Sequence, residues 1–190
     1  MQSKLLFYTM VSTSSVQVRD LSFVPFIGHS AILARIKELG AEINQKYDGL
    51  TPVFVPVLNG AFMFASDLLK EVNVPSEVSF VKVSSYFGAT SSGDVKEILG
   101  LQSDIKGRHV IVVEDIIDTG LTMSKLLETF RSHEPASIAV AALFVKPDSL
   151  KVEVQIDYIG FNIENKFIVG YGLDYKSQGR NYPDVYQLAD

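Results

Sequence analysis

The stretch VIVVEDIIDTGLTMSKLLETF, Val110 to Phe130, decides the fold. Aliphatic residues Val110 to Val113 run into Glu114 and Asp115, two more apolar residues lead to Asp118, and a Thr-Gly turn opens a segment with helical spacing. The first part reads as a buried strand, HVIVVED, and residues 122–132 as a helix. A buried strand that hands over directly to a helix is the unit of a parallel α/β sheet. Carboxylates crowded at such a junction repel one another unless a cation or a polar ligand sits among them.

The segments around this unit repeat its logic. Ile32, Leu33, Ile36, Leu39 and Ile43 have helical spacing, so residues 30–46 read as an amphipathic helix. TPVFVPVLNG is a strand ending at Gly60, followed by an apolar helix through Leu69. VSFVKVSSY, ASIAVAALFV and VEVQIDYIGF read as further strands, and KFIVGYGLDY as a short strand and turn. The expected fold is therefore α/β, with a doubly wound, mainly parallel sheet. Residues 1–15 are expected to be a poorly ordered leader and 16–190 a single domain. The small, polar stretch at about 85–97 is long for an ordinary connection and reads as a lid over a site.

Composition narrows the functions. The 190 residues are 47% apolar with a net charge of −5, so the chain is globular and has no broad basic face for nucleic acid. Cysteine is absent, which removes thiol catalysis and thiolate metal sites and fits a cytoplasmic setting. His29, His109 and His133 show no metal-ligand spacing. No apolar run reaches the ~18 residues needed to cross a bilayer, so no membrane partner is expected. Phosphate-loop, dinucleotide and nucleophilic-serine motifs do not occur.

In parallel sheets ligands gather beyond the carboxyl ends of the strands. That rule points at Leu58 to Gly60, Ser85 and Tyr86, Glu114 to Thr122, Lys146 and Asp174. In DTGLT, Asp118 to Thr122, a glycine at positive φ can turn successive N–H groups toward one anion at the start of a helix. The alternative is an ordinary turn capped by Asp118 or Thr119. Glu114 and Asp115, adjacent on a strand end, are expected to point to opposite sides and suit sugar hydroxyls and hydrated Mg²⁺ held against a diphosphate.

VIVVEDIIDTGLT resembles the phosphoribosyl-diphosphate binding motif of the type I phosphoribosyltransferases: an aliphatic strand, two acids, two apolar residues, an acid, and a Thr-Gly-x-Thr turn. SSYFGATSSGDVK, FVKP and KFIVGYGLDY are similar to the flexible loop, the purine-contacting lysine segment and the base-binding strand of its hypoxanthine-guanine branch. The resemblance implies a small hood formed by the N- and C-terminal segments above the sheet.

It also implies roles. Glu114 and Asp115 would bind the ribose hydroxyls directly or through Mg²⁺, and Asp118 would be the general base at N7 of the purine. The backbone of Asp118, Thr119, Gly120, Leu121 and Thr122 would hold the 5′-phosphate. Lys146 would donate to the 6-oxo group, Phe167 would stack on the base and the main chain of Ile168 would read its edge. Asp174 would bind a second Mg²⁺, Arg180 would meet the diphosphate, Leu58, Asn59 and Gly60 would form the diphosphate loop, and Ser85 and Tyr86 would close over the site.

The activity implied is purine salvage, a 6-oxopurine and phosphoribosyl diphosphate giving IMP or GMP and diphosphate, in a homodimer or homotetramer. A noncatalytic regulator that senses phosphoribosyl diphosphate on the same fold is the alternative. Several residues have plainer readings. Phe167 on an apolar strand would more often be core than stacking platform, and Phe23, Phe26, Phe62 and Phe64 suit either subunit contacts or the core. Asn59 departs from the family, which usually has Lys or Arg there, and this removes a charge from the diphosphate side.

Overall fold

The computed structural model describes residues 14–85, 95–101 and 103–189. The central sheet has seven strands: β3 (Val53–Leu58), β4 (Glu77–Val78), β5 (Val81–Ser85), β6 (Val95–Leu99), β7 (His109–Ile117), β8 (Ser137–Val145) and β9 (Tyr158–Asn162). Their order is β6-β5-β3-β7-β8-β9, with β4 also paired to β3, and only the β5–β6 pair is antiparallel.

Helices cover both faces, as the alternating pattern requires. On one side α1 (His29–Lys46) and α2 (Phe62–Lys70) bury Ile32, Ile36, Leu39, Phe64 and Leu68 against Phe54, Ile111 and Val113. On the other, α3 (Leu121–Arg131) buries Met123, Leu126 and Phe130 against Val53, Val55, Val110 and Val112. Each fully buried aliphatic or aromatic side chain contributes ~1.5 to 3 kcal/mol, which makes these two layers the main source of stability.

A second, antiparallel sheet forms the hood, in the order β1 (Val16–Val18), β2 (Leu21–Ile27), β11 (Val185–Leu188), β10 (Ile168–Val169). It joins the two ends of the chain around a small core of Val18, Phe23, Val169 and Tyr186. The same ends hold the start of α1, because the Asp184 carboxylate accepts the His29 backbone N–H at 2.7 Å. Gly28, the N-cap, has no side chain to do so.

Two expectations are corrected and one open alternative is narrowed. VEVQIDYIGF is strand only from Tyr158. Before that, Val154 and Ile156 pack singly on the second core, and Asp157 takes over the sheet edge: its N–H donates to the Val140 carbonyl and its carboxylate accepts the Val140 N–H, both at 2.9 Å. The far end of the loop expected at 85–97 is strand, since Val95–Leu99 pairs antiparallel with β5; residues 86–94, including Tyr86, lie outside the described residues, as do 1–13 of the expected leader. Phe23 and Phe64 are fully buried core, Phe26 is partly buried against it, and only Phe62 of the four aromatic candidates is exposed.

Among the described residues no helix is long and apolar enough to cross a membrane.

Candidate functional site

The carboxyl ends of β3 and β7, with Val83 of β5, converge on a cavity of about 310 Å³. Leu58 and Gly60, Glu114, and the turn from Ile117 to Gly120 line it, with Thr122 at the start of α3. They are among the positions that the strand-end rule selected, while Asn59, Asp115, Lys146 and Asp174 do not line this cavity.

The apolar alternation along β7 inverts at the two acids. Val110 and Val112 face the α3 side and Ile111 and Val113 the α1–α2 side, whereas Ile116 packs on the α1–α2 side and Ile117 on the α3 side. β8 inverts in step across Leu143 and Phe144, so pairing of the two strands keeps its register. Glu114 faces the cavity and Asp115 backs onto Gly60. Strict alternation would send their side chains to opposite sides, but the inversion falls at this pair, and the two carboxyls are close enough for each to act on the other's protonation.

Burial pushes the Glu114 carboxyl well above the usual carboxylate range, and the neighbouring Asp115 charge and hydrogen bond push the same way. Burial also raises Asp115, although the Glu114 hydrogen bond, the Ile116 amide and the Arg180 charge work against it. The Ile116 N–H donates to Asp115 Oδ1 at 2.9 Å.

The turn after β7 has the geometry of an anion cradle. Gly120 has φ +77° and is itself the N-cap of α3, with no side-chain cap bond, so neither Asp118 nor Thr119 occupies the first-turn N–H groups. Those donors and the positive end of the helix dipole face the cavity together. Beneath the turn, a Cβ on Gly120 would lie 3.1–3.2 Å from Val154, Val152 and the Val152 carbonyl, and the Thr119 carbonyl accepts the Lys151 N–H at 3.0 Å.

Lys146 follows β8 and its side chain is 8% exposed. Its Nζ donates to Asp118 Oδ2 at 3.0 Å and to Asn165 Oδ1 at 3.5 Å. Asn165 escaped the sequence reading; a polar amide two residues before the aromatic Phe167 was the available signal.

Phe167 is 43% exposed, backed by Phe23 at 6.0 Å and Tyr175 at 5.7 Å between ring centroids, so it is a supported platform and not core. Its carbonyl accepts the Leu188 N–H at 2.8 Å. Carbonyls alternate along a strand, so that of Ile168 points away from β11, off the free edge of the hood sheet.

Asp174 and Arg180 meet as an ion pair, and Arg180 Nη1 also donates to the Gly172 carbonyl at 2.6 Å. The Leu58–Asn59 peptide is cis, and Asn59 is exposed. Ser85 ends β5. Among the described residues no three acidic or imidazole groups converge as a ready-made metal cage. The hard oxygen donors Glu114, Asp115 and Asp174 nonetheless fit Mg²⁺, which usually keeps water and takes one or two carboxylates together with substrate phosphates.

Comparison with known proteins agrees with this arrangement. Residues 28–176 match the model of the phosphoribosyl transferase domain. A hypoxanthine-guanine phosphoribosyltransferase of Streptococcus pneumoniae is 44% identical over 165 residues, covering 86% of this chain and 92% of that protein. A hypoxanthine phosphoribosyltransferase of Salmonella typhimurium is 44% identical over 162 residues, 84% of this chain and 91% of that one. Among solved structures, a hypoxanthine-guanine phosphoribosyltransferase of Bacillus anthracis with a HEPES molecule in its active site superposes with a TM-score of 0.82 at 35% identity, covering 87% of this chain and 96% of that chain. A mutant Trypanosoma cruzi hypoxanthine phosphoribosyltransferase in a ternary substrates complex gives a TM-score of 0.82 at 38% identity, covering 87% of this chain and 94% of that chain.

The parallel sheet, the hood and the strand-end cavity define a type I phosphoribosyltransferase fold. The chain belongs to the phosphoribosyl transferase domain family.

Proposed function

We propose that the protein is a purine salvage enzyme that transfers the 5-phosphoribosyl group of phosphoribosyl diphosphate to N9 of hypoxanthine or guanine, giving IMP or GMP and diphosphate. The observation that carries this reading is the Lys146–Asp118 pair beside the open N-terminus of α3: a fixed donor bonded to a proton acceptor that lines the cavity together with the anion cradle. The relatives' names point to the same bases.

In this reading the first-turn amides of Asp118 to Thr122 and the hydroxyls of Thr119 and Thr122 hold the 5′-phosphate. Glu114 and Asp115 hold the ribose hydroxyls. The base lies on Phe167, with its edge toward the Ile168 main chain and its 6-oxo group on Lys146 Nζ. Asp118 takes the proton from N7, which makes N9 more nucleophilic toward C1 of the ribose; such general base help is typically worth ~10² to 10⁴ in rate. Positive charge builds on the sugar ring as diphosphate leaves, as in glycoside cleavage.

In this reading Leu58 to Gly60 and Arg180 would meet the departing diphosphate, and Ser85 and Tyr86 would close over the site and exclude water. Glu114, Asp115 and Asp174 would hold Mg²⁺, which supplies charge neutralisation of the diphosphate when bound. Lys146 only donates, so adenine, with a 6-amino group, leaves donor facing donor. The functional unit spans residues 16–190, works in the cytoplasm and assembles as a homodimer or homotetramer.

The test is initial velocity with phosphoribosyl diphosphate and Mg²⁺ against hypoxanthine, guanine, xanthine and adenine, with Asp118→Asn as control. Turnover of 6-oxopurines that collapses in the control supports the enzyme. Binding of phosphoribosyl diphosphate without turnover of any base would replace it with a noncatalytic sensor.

A further inference from the structure

Behind the cavity, the Tyr171 hydroxyl donates to Asp67 Oδ2 on α2. Tyr171 is fully buried and sits at φ +48°, between Gly170 and Gly172, which also have positive φ. A bulky side chain keeps that conformation only where its surroundings hold it. Here they consist of the Asp67 carboxylate, the His29 ring 5.9 Å away, and backbone bonds from Tyr171 N–H to Tyr182 and from Gly172 N–H to Arg180, at 2.8 and 3.0 Å. Asp67 is fixed in turn by Lys70, one helical turn on, at 2.7 Å.

The contacts continue into the site. A Cβ on Gly172 would lie 2.1 Å from the Gly60 carbonyl, and one on Gly60 would lie 1.6 Å from Asp115 Oδ2, so these three segments touch backbone to backbone and backbone to carboxylate. The Gly172 carbonyl also accepts Arg180, which pairs with Asp174. α2 begins two residues after Gly60, so the Asp67–Tyr171 bond ties the helix that follows the 58–60 loop to the turn that carries Asp174.

We infer that Asp67 and Tyr171 are positioning residues for the phosphoribosyl diphosphate half of the reaction: by locking the Gly170–Asp174 turn onto the 58–60 loop, they present Gly60, Asp115, Asp174 and Arg180 as one preformed surface. The inference rests on the function proposed above. The purine side has its main supports elsewhere, in Lys146 on β8 and in Phe23 behind Phe167.

The experiment measures the Kd of phosphoribosyl diphosphate with Mg²⁺ and the KM of hypoxanthine for the parent protein, Tyr171→Phe, Asp67→Ala and Asp67→Asn. Asn at 67 keeps an acceptor oxygen for the Tyr171 hydroxyl. The expected result is a Kd raised about tenfold in Tyr171→Phe and Asp67→Ala, the scale of a displacement of less than an ångström, and near the parent value in Asp67→Asn, with hypoxanthine KM unchanged throughout. Parent-like Kd in all variants, Asp67→Asn as weak as Asp67→Ala, or equal shifts for both substrates would overturn the inference, because a purely structural bond lowers stability without separating the substrates. If Tyr171→Phe does not fold, the Asp67 pair decides alone, since that side chain is 20% exposed. A parent protein that binds no phosphoribosyl diphosphate would overturn the proposed function along with the inference.

Discussion

Lys146 Nζ donates to Asp118 Oδ2 at 3.0 Å across the ends of neighbouring parallel strands, joining a buried cation to a half-exposed carboxylate. In the proposed complex a 6-oxopurine comes between them, its oxygen on the lysine and its N7 proton on the aspartate. Each group thus satisfies the other, and a base bound between them exchanges one partner for another at little cost in unpaired charge. Lys146→Gln, which can donate or accept, is expected to weaken discrimination between hypoxanthine and adenine by roughly 10- to 100-fold in kcat/KM, the range of one unmatched buried donor. Competing-substrate velocities measure it; an unchanged ratio would show that the 6-position is read elsewhere.

Gly120 has φ +77°, and its Cβ position is closed off by Val152 and Val154. Gly120→Ala should lose about 1 to 2 kcal/mol of stability from the left-handed backbone alone, before any crowding. It should also raise KM for phosphoribosyl diphosphate, because Gly120 caps the helix end that forms the cradle. Urea unfolding and steady-state kinetics check the two effects separately.

At Gly60 the obstacle is a functional group. A Cβ there would displace the Asp115 carboxylate, whose oxygen lies 1.6 Å from the position. Gly60→Ala is expected to cost about 10²-fold in kcat/KM for phosphoribosyl diphosphate, as misplacement of about 1 Å does in other sites, while purine binding in equilibrium dialysis stays near the parent level.

Much of the fold was legible because β7 and β8 are long aliphatic runs whose burial on both faces leaves no other reading. The strand-end rule pointed at Glu114, Asp118 and Lys146 for the same reason. The hood was read only through family resemblance: β1, β10 and β11 are short, and the pairing that joins its two halves, β2 with β11, links distant parts of the chain, as with Phe23 paired to Leu188. Val152, Val154 and Ile156 alternate like a strand, but they spend that period packing beneath Gly120 and on the α3 core without a sheet partner. The closeness of the Glu114 and Asp115 carboxyls was hidden because a uniform period of two carries no sign of the inversion shared by β7 and β8. Asp67 and Tyr171 are 104 residues apart and belong to no local motif.

The same pair sets an acid limit on stability. Burial pushes the Asp67 carboxyl up, but hydrogen bonds from Lys70 and Tyr171, with the nearby His29, outweigh it and hold the group below its ordinary value. A carboxylate lowered in the folded state contributes stability that is present above its unfolded pKa of about 3.9 and is lost as pH falls through the folded value. Asp67→Asn should therefore be less stable than the parent at pH 7, and the difference should shrink below about pH 4. Urea midpoints from pH 7 to pH 3 follow it; a constant difference across that range would contradict the assignment.

The most direct test of the central claim is a product balance: purified protein with phosphoribosyl diphosphate, Mg²⁺ and limiting hypoxanthine, followed by chromatography for IMP and a separate assay for diphosphate. The account predicts one IMP and one diphosphate for each hypoxanthine consumed, and neither product in Asp118→Asn over the same interval. Diphosphate and ribose 5-phosphate without IMP, or no consumption of a bound phosphoribosyl diphosphate, would contradict it.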